Sequence, residues 1–336
     1  MEAGTLARTE PSAFERLSRA VRASPGRTAL VIIALVALWL ILDYGLQAWG
    51  QRTVNGLVSG SYFALGAVGL TLVYGILRLV NFAHGDMLTF GVYIAFLVSV
   101  TLGAPFAIGV LAGVVATAAL GVTFERVLFR PMRDARARML QLLLVTIGLA
   151  FVLRNAIQFV AGPDVKRLDV NVTSTIEFLG LRIGTTELVV MLIGFAVLAL
   201  IALMLRYTTL GKQMRALSDN FELAETTGID TDRIVIATWI FAGGLAGLAG
   251  GMLGAATGVI TPNIGFFILL SLFASVILGG IGNAYGALAG GLILGLSQEW
   301  STLLIDARWK TAVGFAILII VLIFRPQGVF GRERTL

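Results

Sequence analysis

Long apolar runs, broken by short polar punctuation, fill almost the whole chain from residue 28 onward. Ten of them are candidates to cross a hydrocarbon layer ~30 Å thick: 28–49, 54–77, 87–102, 105–124, 139–161, 186–206, 234–257, 265–281, 284–300 and 310–324. Several fall short of the ~20 residues that a helical span needs. The stretches 265–281 and 284–300 are short enough to form one re-entrant pair instead. The pattern therefore predicts an all-α polytopic membrane protein with about ten transmembrane helices, or eight as the alternative. Residues 28–325 make up the transmembrane domain, between a basic segment, 1–27, and a tail, 326–336.

Composition agrees with the pattern. Of 336 residues, 57% are apolar and 13% are charged, where soluble domains carry ~25% charged residues. A soluble globule could not keep such a surface wet. The net charge of +6 would suggest nucleic acid as a partner in a soluble chain. In a membrane chain it marks the cytoplasmic segments, and no nucleic-acid partner is expected. With the N-terminus inside, eighteen of the 25 basic residues fall on cytoplasmic segments, five of them in 125–138. Six (Arg52, Lys166, Arg167, Arg182, Arg308 and Lys310) fall outside, and Arg154 lies within a span. Both termini are thus expected in the cytoplasm. Residues 1–27 do not read as a cleavable signal. Ser12 and Glu15 have capping-box spacing, and Phe14, Leu17 and Val21 form a stripe beside arginines. A helix lying on the inner leaflet and a disordered basic tail both fit.

The chemistry on offer is sparse. There is no cysteine and one histidine, His84, so neither a metal site nor a cofactor is expected. Gly211-Lys212 is followed by Gln213 and lacks the upstream glycine of a phosphate-binding loop, so the chain has no P-loop to hold nucleotide phosphates. A catalytic role is not expected. Glycines four apart recur at Gly56/Gly60, Gly243/Gly247/Gly251 and Gly282/Gly286/Gly290, a spacing that lets helix backbones touch in lipid.

Three places carry polar residues worth weighing. Arg154 and Asn155 sit inside the span 139–161, either facing a translocation path or with Arg154 snorkelling to the outer surface. Asn81, His84 and Asp86 crowd the break between two spans. Asp86 is expected to cap the helix 87–102, and the three together are candidates to line the cytoplasmic gate. Asp43, Glu125 and Glu187 read as interfacial. The third place is the loop 207–233, where Met214, Leu217, Phe221 and Ala224 recur at helical spacing and Gly228 follows as a stop. This predicts an amphipathic helix whose apolar stripe binds a partner or packs on the protein's own inner surface.

The run from Gly69 through Tyr74, Gly75, Asn81 and His84 to Asp86 closely resembles the signature of branched-chain amino-acid ABC importer permeases, of the H type. The stretch Leu278–Gly291 carries the same resemblance, which covers about Val54 to Phe330. The segment Glu222-Leu-Ala-Glu-Thr-Thr-Gly228 is similar to the family's EAAxxxG loop, with leucine in the second position. The resemblance implies an inner-membrane permease working with a second permease subunit, two ATPase subunits and an extracytoplasmic substrate-binding protein. It implies that Met214, Leu217, Phe221, Glu222, Ala224 and Gly228 couple to the ATPase. A urea or short-chain amide importer shares the signature. A proton-coupled transporter acting alone is the alternative of another class, and it would need a buried acid near the membrane centre.

Overall fold

The computed structural model describes residues 25–171, 173–178 and 180–331. The expected helix start at Ser12–Glu15 lies outside the described residues.

Helix α1 (Pro25–Tyr44) ends at Gly45, whose φ of +85° suits glycine, and the chain folds directly into α2 (Leu46–Leu77). That 32-residue helix is the axis of the fold and is buried along most of its length. It can be surrounded so closely because small residues recur along it. A methyl group added at Gly291 would lie 2.5 Å from the Ala64 Cα, and one at Gly295 would lie 2.5 Å from the Gly60 Cα. The glycine spacing therefore does mark backbone contacts, here between α2 and α12 (Ala284–Ser301). Gly247 on α10 (Thr231–Thr257) touches Gly113 and Val114 of α4 (Phe106–Phe124) in the same way.

The remaining long helices are α3 (His84–Phe96), α6 (Met139–Ala161), α7 (Thr185–Tyr207), α11 (Ile264–Gly279) and α13 (Lys310–Phe324). Alpha-helix α3 runs on through a wide π turn to Thr101, and α4 through another, Glu125–Phe129, into the short α5 (Arg130–Asp134). So the arginine-rich segment 125–138 is largely a helical extension and not an open loop. Among the described residues, seven helices are long and apolar enough to cross a membrane. The other three expected spans are the helices α1, α11 and α12. Apolar α11 is only 16 residues long, and α12 closes on Gln298 and Glu299.

Two small antiparallel ladders interrupt the all-helical expectation. Strand β1 (Lys166–Arg167) pairs with β4 (Val259–Ile260), and β2 (Thr175–Phe178) forms a hairpin with β3 (Leu181–Gly184). They lie in polar connections after α6 and α10, where no hydrocarbon forces the backbone to bond within one helix.

Candidate functional site

The break between α2 and α3 is where the structure departs most from a plain bundle. Alpha-helix α2 ends at Arg78, a non-glycine residue at φ +54°. Residues 79–83 then climb back along α2. His84 Nε2 lies 3.0 Å from the Gly66 carbonyl oxygen, eleven residues up α2 from Leu77, which is ~16 Å at ~1.5 Å per residue. Val80 is held on the way by the Thr146 hydroxyl of α6, which donates to its carbonyl at 3.1 Å. Helix α3 thus starts deep inside the body. The expected gate residues Asn81, His84 and Asp86 are all interior, each at most 1% exposed. They do not lie at a cytoplasmic surface.

Asp86 does not cap this helix, as its spacing suggested. It stands within the first turn, and no side chain caps the helix; Asn81 Oδ1 accepts from the Ala83 N–H at 3.0 Å in a turn just before it. Asp86 instead meets Arg154. The guanidinium donates Nε to Oδ1 at 2.9 Å and Nη2 to Oδ2 at 3.0 Å. Such a two-pronged pair is strong and directional. The Asp86 side chain is fully buried and that of Arg154 is 14% exposed, so Arg154 does not snorkel to the surface. Its guanidinium lies 4.1 Å from the centre of the Phe266 ring, in the first turn of α11. The start of α11 meets the start of α3, since the Gly265 N–H donates to the Thr89 hydroxyl at 3.0 Å. Two helix N-termini, each with a partial positive charge, therefore flank the carboxylate.

Two buried polar atoms near this break lack partners among the described residues: His84 Nδ1 and the Tyr93 hydroxyl. Asn155 does not join the cluster. It is exposed, and its amide donates to the Phe151 carbonyl of its own helix at 2.8 Å.

At the arginine-rich end, the segment 207–233 forms α8 (Thr209–Asp219) and α9 (Phe221–Thr226), kinked at Asn220. Met214, Leu217 and Ala224 are buried in the protein's own core, and Phe221 is half-buried against it. The apolar stripe therefore faces inward, because it completes the base of the helix bundle and leaves no stripe for a partner. The outward face carries Lys212, Arg215, Glu222, Glu225 and the 60% exposed Leu223. Gly228 ends α9 as its spacing suggested, at φ +84°. Arg78 ties α8 to the break, donating Nη2 to the Ser218 carbonyl at 2.9 Å.

One buried carboxylate escaped the sequence reading. Glu125 is 2% exposed, not interfacial. It accepts from Trp239 Nε1 at 2.8 Å and from Arg133. Phe129 stacks on Trp239 with ring centres 5.2 Å apart. The signal was an acid followed by an arginine eight positions later, a spacing that only the π turn brings together.

A family model described as the permease component of branched-chain amino acid transport systems matches residues 52–322. The chain belongs to this family. The high-affinity branched-chain amino acid permease protein LivH of Escherichia coli K12 is 34% identical over 302 residues, covering 85% of this permease and 96% of the relative. BraD of Pseudomonas aeruginosa, described in the same terms, is 33% identical over 299 residues with the same coverage. A probable LivH of Methanocaldococcus jannaschii is 29% identical over 313 residues, covering 85% and 94%. The matched region contains both the Asp86–Arg154 pair and the α8–α9 segment.

Proposed function

We propose that the permease is a transmembrane subunit of an ATP-driven importer of branched-chain amino acids, seated in an inner membrane. The observation that carries this reading is the match to LivH and BraD over 85% of the chain. On this reading a second permease subunit pairs with it, two ATPase subunits bind the arginine-rich end, and an extracytoplasmic binding protein delivers substrate.

Two features support the assignment. The outward face of α8 and α9 is a docking surface for an ATPase, and Arg78 links that face to the break that leads to Asp86. Movement of α8 would thus be felt at the start of α3. The second feature is the Asp86–Arg154 pair, which sets one anion beside one cation in a closed interior. A ligand that parts them must carry both charges or leave one of them buried and unpaired. A zwitterionic amino acid satisfies that condition, whereas neutral urea or an amide does not. Asp86 is also the buried acid that a proton-coupled carrier would need, but both of its carboxylate oxygens are engaged by Arg154.

The test is uptake by the assembled importer in vesicles loaded with ATP. Leucine, isoleucine and valine should compete with one another, and urea should not. Uptake without ATP, or competition by urea, overturns the reading.

A further inference from the structure

Helix α1 stands off from the body. Between it and helices α12 and α13 runs a cleft of about 490 Å³. Thr28 and Arg325 stand at one end, and Leu40 and Leu304 at the other. The rise from Thr28 to Leu40 is ~18 Å at 1.5 Å per residue, close to one leaflet of a ~30 Å hydrocarbon layer. Between the ends the lining is apolar apart from Ser297 and Ser301, and it includes no acidic residue.

Arg325 gives the cleft a polarity. It is 7% exposed, and Nη1 donates to the Val329 carbonyl at 2.9 Å. Its Nε has no partner among the described residues. A buried guanidinium with an unpaired donor, and with no acid beside it among the described residues, is completed by an anion. An apolar channel one leaflet long, starting at that cation, has the shape of an acyl chain. We propose that the cleft is a binding site for one anionic phospholipid of the leaflet at the arginine-rich end. Its phosphate meets Arg325, and an acyl chain lies between α1 and the pair α12–α13. Basic pockets between transmembrane helices take anionic head groups in this way. The preceding segment of the chain is a poor rival, because residues 1–24 carry four arginines against three glutamates. A protein segment would have to supply both the anion and the chain-like apolar contact.

The experiment uses full-length protein in mixed bilayers containing phosphatidylglycerol with a photoactivatable group midway along one acyl chain. Adducts should map to peptides holding Ile33 or Ile317, which line the cleft from α1 and α13. The same probe with a phosphatidylcholine head should label them several-fold less. Arg325→Gln should cut phosphatidylglycerol labelling about five-fold, the scale of one basic residue at an anionic surface, and Arg325→Lys should restore much of it. Ser297→Phe, which fills the cleft and leaves Arg325 intact, should abolish labelling even if the Arg325 variants fail to fold. Adducts elsewhere, equal labelling by the two head groups, or full labelling of Ser297→Phe would overturn the proposal. So would a cysteine placed at Ile33 that cross-links to residues 1–24 or to a second chain in place of lipid.

Discussion

Asp86 and Arg154 lie 68 positions apart; the sequence offered Asp86 as a helix cap at a break between spans and Arg154 as either facing a path or snorkelling outward. What the sequence did not reveal was that they meet. That depends on residues 79–83 folding back along α2, and no local periodicity encodes a return into the bundle. Removing one partner should expose the value of the pair. Asp86→Asn or Arg154→Gln leaves a buried charge, and such losses cost about 3–5 kcal/mol in well-studied cases. The double variant should recover part of that stability, because it leaves no unpaired charge, while uptake stays abolished. Thermal unfolding in detergent, paired with uptake in vesicles, separates the two effects. A double variant no more stable than either single one would show that the residues do not act as a pair. Glu125 offers a second residue-level check. Trp239→Phe removes its neutral donor and keeps the stack on Phe129, so stability should fall by about 1–3 kcal/mol, measured in the same way.

Elements were legible where periodicity was strong. Gly228 and the amphipathic spacing of Met214, Leu217 and Ala224 located the helical segment, which the structure breaks at Asn220 into α8 and α9, yet amphipathicity does not say which body the apolar side faces. Burial within the chain answers that, and it moves the expected contact with an ATPase to Leu223 and its polar neighbours. Leu223→Asp should leave the isolated permease as stable as before and reduce co-purification of ATPase subunits. Phe221→Ala should instead lower stability, because its ring rests on the core. Gly228→Val forces a β-branched side chain into positive φ and should cost about 1–2 kcal/mol. Equal co-purification by wild type and Leu223→Asp would remove the α9 face from the contact. The helix seams were legible too, since glycine spacing reports close approach directly. Gly291→Leu should disrupt assembly, because the Ala64 backbone occupies the space. Gly148→Leu should be tolerated, with nothing within 4 Å of an added methyl.

At the scale of the molecule, charge asymmetry predicts the direction of insertion, and the positions of α4, α5 and α8 gather it into one arginine-rich end. The chain contains no cysteine, so a single one at Ala135 is a clean reporter. It should resist impermeant thiol reagents in intact cells and react once the membrane is opened. Ready labelling in intact cells would invert the orientation. The length of α2 has a consequence for the bilayer itself. Its 32 residues extend ~48 Å, well beyond a ~30 Å hydrocarbon layer. Gln51, Arg52 and Asn55 make the first turns polar, and Gln51 exchanges hydrogen bonds with the Arg182 backbone of the hairpin. The surplus therefore stands clear of the lipid as a stalk that carries the hairpin. A thicker bilayer would draw this stalk toward the hydrocarbon or force α2 upright. Because α12 is sealed against α2 glycine to backbone, the two would change tilt as one. Transport should then depend on acyl-chain length, with an optimum set by how much of this stalk the membrane leaves in water.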